Sequence, residues 1–324
     1  MQSDASIYIA GHNGLVGSAL VRLLRARGYE NLLLRSRQQL DLRERAAVEG
    51  FFAEHRPQYV LLAAAKVGGI LANDSQPVEF LEDNLRIQTN VISAAWRFGA
   101  RKLAFLGSCC IYPKVTPQPI QESALLTGPL EPTNEAYAIA KIAGIKLCQA
   151  YRKQHGFDAI SIMPTNLYGP GDNFDPYTAH VLPALIHRFH LAKENGDASI
   201  QVWGTGNARR EFLHVDDLAS ACLFLMQHYS HGDIINAGTG NDISIAELAV
   251  LIAQVVGYHG HIQQDPSKPD GTLLRCSDIS KLRGLGWSPT ISLHDGIDAT
   301  YAWYQQHVGQ ATLRGTTAHP MLSS

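Results

Sequence analysis

Three glycines at three-residue spacing, Gly11, Gly14 and Gly17, sit where an apolar run, Ser6–Ala10, gives way to an amphipathic stretch, Gly14–Arg27. Few features restrict a chain more. Gly11 permits a tight turn, Gly14 lets a ligand approach the backbone, and Gly17 lets the helix press close to the strand. Leu15, Ala19, Leu20, Leu23 and Leu24 share one face of that helix. Its N-terminus presents unpaired N–H groups and the positive end of its dipole, which suits a diphosphate. A strand–glycine turn–helix unit of this kind opens a dinucleotide-binding α/β sheet.

The rest of the first half repeats the pattern. Strand-like runs at Leu32–Leu34, Tyr59–Ala63, Lys102–Leu106 and Ala159–Met163 alternate with helical stretches near Arg43–His55, Pro77–Phe98 and Asn134–His155. Asn134 is the candidate N-cap of the last. This alternation predicts a Rossmann-type, doubly wound parallel sheet over residues 1–165. The second half reads differently. Asn166–Tyr177 is rich in Gly, Pro and Asn and is expected to be loop, Gly204–Arg210 to be turn, and Gln264–Cys276 to be irregular. Helices are expected at Ala179–Lys193, Val215–His228, Ile245–Val256 and Ser292–Gln306, with short strands at Ser199–Trp203 and Ile234–Asn236. Residues 166–312 therefore read as a smaller α/β lobe interleaved with the sheet, and Leu313–Ser324 as a tail.

Bulk properties narrow the function. A length of 324 residues at 45% hydrophobic content supports a large core. A net charge of −2 gives no reason to expect a nucleic-acid or acidic-membrane partner. No run approaches ~18 consecutive apolar residues, and the start lacks the pattern of a signal peptide. Five scattered cysteines, without metal-site spacing, fit a reducing cytoplasm and no metal.

Two clusters carry chemistry. An NAD site usually has an acidic residue at the end of the second strand, for the ribose 2′-hydroxyl. Here Arg35-Ser36-Arg37 stands there, with no carboxylate until Asp41. Paired guanidiniums suit a 2′-phosphate, which predicts NADP(H). At the other end, Gly107-Ser108-Cys109-Cys110 follows the fourth strand, where open α/β sheets place their ligand crevice. Tyr137 and Lys141, four apart, share a helix face. A lysine ammonium beside the phenol would favour phenolate and lower a pKa ordinarily near ~10. Ser108 can then hold a substrate oxygen while Tyr137 transfers a proton to it.

Ser108 with Tyr137-x-x-x-Lys141 resembles the extended short-chain dehydrogenase/reductase superfamily, which acts mainly on nucleotide sugars. The segments Ala64–Ile70, Gly107–Pro113, Glu131–Asn134, Met163–Pro170 and Trp203-Gly204 with Arg210–Asp217 resemble the GDP-L-fucose synthase family over roughly residues 6 to 290. That resemblance implies a 3,5-epimerase/4-reductase acting on GDP-4-keto-6-deoxy-D-mannose with NADPH. It gives Cys110 and His180 the epimerisation roles beside Ser108, Tyr137 and Lys141. The cofactor set it implies is Gly11, Asn13, Gly14, Leu15, Val16, Gly17, Arg35, Arg37, Asp41, Leu42, Leu106, Gly107, Ser108, Tyr137, Lys141, Pro164, Asn166, Leu167 and His180. For the GDP-sugar it points to Arg188, Trp203, Arg210 and Asp270, and it implies a homodimer through the helices Pro77–Phe98 and Tyr137–Gln154.

Two positions depart from the family pattern. Asn13 stands where an arginine is common, and Arg275 where a lysine is expected, a change that keeps charge but not shape. Cys109-Cys110 replaces the acidic pair that dehydratases of the superfamily usually carry. The competing readings are a GDP-colitose-type synthase, a nucleotide-sugar 4-epimerase or dehydratase that recycles NAD, and a non-catalytic NADP-binding sensor.

Overall fold

The computed structural model describes residues 1–175, 178–268 and 272–307. Asp270 and the 313–324 tail lie outside the described residues. The chain runs β1 (Ile7–Ala10), α1 (Leu15–Ala26), β2 (Leu32–Leu33), α2 (Arg45–His55), β3 (Tyr59–Leu62), α3 (Ile70–Ser75), α4 (Pro77–Arg97), β4 (Lys102–Leu106), α5 (Glu135–His155) and β5 (Asp158–Pro164). There follow β6 (Asn166–Tyr168), α6 (Val181–Asn195), β7 (Ser199–Trp203), β8 (Arg209–His214), α7 (Val215–His228) and β9 (Ile235–Ala237). The remainder is β10 (Asp242–Ser244), α8 (Ile245–Val256), β11 (His261–Asp265), β12 (Leu274–Arg275), α9 (Ser280–Gly284) and α10 (Leu293–His307).

Six strands form a parallel sheet in the order β2-β1-β3-β4-β5-β9, so direction reverses across β1, as in doubly wound folds. Alternation along the strands covers both faces. Ile7, Ile9, Ala104 and Leu106 join the core beneath α1 and α7, with Leu20, Leu24, Leu218 and Leu225. Tyr8, Ala10, Leu103 and Phe105 face the other way, into the core under α2, α4 and α5 with Phe52, Ile92 and Ile145. A third core joins α6, α8 and α10 through Leu185, Phe189, Leu248, Ile252, Ile297 and Tyr304.

The outer lobe is where expectation and structure part. Asn166–Tyr168 is a strand and not loop, paired in parallel with Phe212–His214 of β8. The expected turn ends at Arg209, where β8 begins, and the region expected to be irregular holds the last two residues of β11, parallel to β7, and all of β12, parallel to β8. These strands are two to six residues long. Their backbone groups are satisfied by partners distant in sequence, which local composition does not reveal. Helix α6 starts two residues later than expected, and Asn134 stands at the N-cap of α5 without making a side-chain cap bond.

Candidate active site

The glycine turn is built as tightly as its spacing demands. Gly11 has φ +84, and a Cβ there would lie 2.8 Å from Ala64 Cα on the neighbouring strand's exit. A Cβ on Gly17 would fall 2.1 Å from the Gly11 carbonyl oxygen. The first turn of α1 thus sits directly over the end of β1, with its N–H groups facing outward beside Gly14. This cradle, too narrow for any side chain, fits a dinucleotide diphosphate.

The ribose end separates residues that sequence grouped together. Arg35 is turned into the protein. Its Nη1 donates to Leu34 O at 2.9 Å, its Nη2 lies 2.7 Å from His55 Nε2, and its guanidinium stacks 5.5 Å from the Phe51 ring centroid. Arg37 is exposed, with only a 3.7 Å approach of Nε to Asp41 Oδ2. It has the reach for a 2′-phosphate. Arg43 donates to Asp41 Oδ2 at 2.7 Å and to Oδ1 at 3.0 Å, and holds that carboxyl down to about 2. Asp41 is therefore already paired. The Leu42 side chain is in the core and its carbonyl accepts from Asn90. Asn13 is exposed at the turn's tip, while Leu15, Val16 and Leu167 are half-buried against the core.

Beyond β4 the chain enters a short 3-10 turn, Cys109–Ile111. Ser108 caps it, its Oγ accepting from Cys110 N at 3.3 Å. Gly107 and Pro164 are buried at adjacent strand ends. Tyr137 and Lys141 enter from α5, in its first two turns. Lys141 Nζ donates to Leu106 O at 2.7 Å and lies 5.7 Å from the Tyr137 ring centroid. Phe80 packs edge-on against Tyr137. Burial lowers the Lys141 ammonium to about 8, with Cys110 acting against the shift. Burial likewise raises the Cys110 thiol to about 12, opposed by the Ser108 hydroxyl and by the Lys141 and Arg275 cations.

One expectation is reversed. Tyr137 titrates well above 10, because burial and the neighbouring Cys110 and Cys109 disfavour phenolate. The ammonium meant to stabilise phenolate is bonded to a strand-end carbonyl. Desolvation wins over a single cation. The phenol is thus held in its protonated form, ready to donate.

His180 is the N-cap residue of α6, extended at φ −72 and ψ 164, and is exposed. Desolvation by the surrounding protein keeps its imidazole below the ordinary value. The approach to it is pinned by side-chain turns: Asn173 N donates to Asp172 Oδ1 at 2.7 Å and Thr178 N to Asp175 Oδ1 at 2.9 Å. Gly69 N donates to Thr178 O at 3.3 Å. Gly69 caps α3, and α3 packs on Pro132–Asn134, the turn leading to Tyr137. The loop carrying His180 is thereby tied to the segment carrying Tyr137.

The expected substrate residues form two groups. Arg188 donates to Gln201 O on β7, the strand that ends at exposed Trp203, whose ring lies 5.8 Å from Lys268 Nζ. Arg210 lies in register with Arg275 and donates to Thr272 O.

Sequence reasoning missed Glu211. It is fully buried, and its carboxylate accepts from Thr239 N at 2.6 Å, Gly240 N at 2.7 Å and Ser277 N at 2.8 Å. Its carbonyl accepts from Asn166 Nδ2 at 2.9 Å, which commits that amide to the lobe. Sequence offered no signal for it, because Glu211 stands beside Arg209-Arg210 and before His214, as an ordinary surface charge would. Among the described residues no cluster has the makings of a metal site.

Residues 7–238 match the NAD dependent epimerase/dehydratase family. GDP-L-fucose synthase 1 of Arabidopsis thaliana is 60% identical over 94% of this chain and 94% of its own length. GDP-L-fucose synthase of Escherichia coli (strain K12) is 51% identical over 94% and 98%. The solved GDP-L-fucose synthetase of Naegleria fowleri bound to NADP superposes with a TM-score of 0.89, at 30% identity, over 96% of each chain. Sheet order, glycine cradle and strand-end cluster agree with these likenesses, and the chain belongs to the GDP-L-fucose synthase family within the NAD dependent epimerases and dehydratases.

Proposed function

We propose that this protein converts GDP-4-keto-6-deoxy-D-mannose to GDP-L-fucose, by epimerisation at carbons 3 and 5 followed by NADPH-dependent reduction at carbon 4. The observation that carries this reading is the convergence of Ser108, Cys110, Tyr137 and Lys141 on the end of β4, with Lys141 bonded to that strand's last carbonyl.

A 4-keto group acidifies the hydrogens on carbons 3 and 5, since their loss leaves charge on the ketone oxygen as an enolate. Ser108 and the protonated Tyr137 are the donors for that oxygen. Each inversion takes a proton from one face of the ring and returns one to the other. Cys110 and His180 are the pair for this exchange, from the strand end and the α6 N-cap respectively. When bound, NADPH supplies the hydride for carbon 4. Tyr137 then gives its proton to the same oxygen, and Lys141, with its lowered proton affinity, is the group from which that proton is replaced. One oxygen site serves both reactions.

Arg37 and the glycine cradle are assigned to the cofactor, with Asn13, Leu106, Pro164, Asn166, Leu167 and His180 at its borders. Arg188, Trp203 and Arg210 are assigned to the GDP-sugar. A homodimer through α4 and α5 accords with exposed Val78, Trp96 and Ile139 on those helices. No helix of the described residues is long and apolar enough to cross a membrane, and the five free cysteines accord with a cytoplasmic setting.

The test is to supply GDP-4-keto-6-deoxymannose with NADPH and identify the product. GDP-L-fucose with one NADPH oxidised per turnover is the expected result. No oxidation refutes the function, and turnover only of the 3-deoxy analogue moves it to the GDP-colitose class.

A further inference from the structure

The Cys109–Ile111 turn is held from two sides. From below, Ser108 Oγ accepts from Cys110 N at 3.3 Å. From the lobe, Arg275 of β12 reaches across: its Nη1 lies 3.3 Å from Cys109 O and 3.5 Å from Tyr112 O. Cys109 O belongs to the peptide that leads into Cys110, so the guanidinium grips the thiol's own backbone. Arg275 is in turn fixed by the β12–β8 ladder, next to Arg210, and by Cys276 N donating to Gln118 Oε1 at 2.9 Å.

Charge adds to geometry. Burial dominates the Cys110 thiol and pushes it up; Cys109 adds to the rise, while Ser108, Lys141 and, least, Arg275 oppose it, and the phenol of Tyr137 also feels this thiol. Only Lys141 and Arg275 among them are cations, and Lys141 is buried with lowered proton affinity. Arginine keeps its charge at any working pH. Burial also pushes the Cys109 thiol up, with Glu211 adding to the rise and Arg275, then Arg210, opposing it.

We propose that Arg275 is a positioning residue for Cys110: it fastens the thiol-bearing turn through two carbonyl bonds and keeps a permanent cation on that turn. This rests on reading Cys110 as an acid–base group. Both carbonyl bonds come from a single nitrogen, Nη1, so a lysine ammonium reaching the same place keeps the charge and can donate to both carbonyls.

The experiment is alkylation of Cys110 by iodoacetamide from pH 7 to 10.5, in the full chain carrying Cys109→Ala so that one thiol is read by mass spectrometry. Arg275→Met is expected to slow alkylation about threefold at pH 9, since Arg275 is the weakest of the groups that favour the thiolate. Arg275→Lys, which restores the charge, is expected to recover at least half of that loss on a logarithmic scale. Thermal melting confirms that each variant is folded. No slowing in Arg275→Met, or equal slowing in both variants, overturns the proposal. Solvent-deuterium exchange at carbons 3 and 5 is measured beside it in Cys110→Ser. Exchange that survives there refutes the thiol as base, while the alkylation result still decides the coupling to Arg275.

Discussion

Replacing Glu211 by glutamine tests the reading of the lobe most directly. The carboxylate is fully buried, and its two oxygens receive three backbone N–H groups: Thr239 and Gly240 on Oε1, Ser277 on Oε2. A glutamine can keep its oxygen on the first pair only by turning its amide N–H toward the Ser277 N–H. One charge-assisted bond is then lost and a buried donor orphaned, costing about 1.5–3 kcal/mol. The two surviving bonds lose their ionic character at about 1 kcal/mol each, so Glu211→Gln should be destabilised by about 3.5–5 kcal/mol. Urea unfolding followed by circular dichroism, at fixed protein concentration, gives the number. A loss below about 1 kcal/mol with an unchanged m-value refutes the inference that this carboxylate knits β8, β9 and β12 together.

Gly17→Ala should abolish NADPH binding by fluorescence titration, since its methyl would meet the Gly11 carbonyl; a folded variant that still binds contradicts the cradle. Arg37→Ala should weaken NADPH at least tenfold without weakening NADH, whereas Arg35→Ala should act mainly on stability; the reverse pattern counts against the assignment. Lys141→Met should eliminate reduction yet raise stability by about 1–2 kcal/mol at pH 7, because it removes a buried ammonium. Lys141 falls from 10.5 to about 8 on folding, so between those values the unfolded chain binds more protons and wild-type stability rises with pH. The advantage of Lys141→Met should therefore fade from pH 8 to 10.5, and an advantage that grows would show the sign to be wrong. Cys110→Ser should stop deuterium incorporation at carbons 3 and 5 while leaving NADPH binding intact; continued incorporation moves the base elsewhere.

The nucleotide half was legible because its signals are local. Gly11 needs its positive φ and Gly17 its clearance from the Gly11 carbonyl within the turn they share, and the alternation of Ile7, Tyr8, Ile9 and Ala10 already declares two covered faces. The lobe was not, because β6 and β12 are strands only through β8, by pairings such as Asn166 with Phe212 and Leu274 with Arg209 that lie far apart in sequence. The electrostatics of the cluster were legible in kind but not in sign. Spacing places Lys141 near Tyr137, but only the fold shows that Leu106 O takes the ammonium and that burial dominates the phenol. Arg35 and Arg37 likewise look equivalent until His55 and Phe51 are seen to hold one of them.

The chain leaves the six-stranded sheet after β5, returns for α7 and β9, leaves again for β10 through β12, and returns for α9 before α10 closes the lobe. Specificity in such an architecture cannot be exchanged as a cassette. A chimera that borrowed a relative's lobe would need matched junctions at every crossing, each running through buried residues such as Thr165, Val215 and Cys276. Divergence toward new sugars is thereby channelled into single substitutions on a fixed weave.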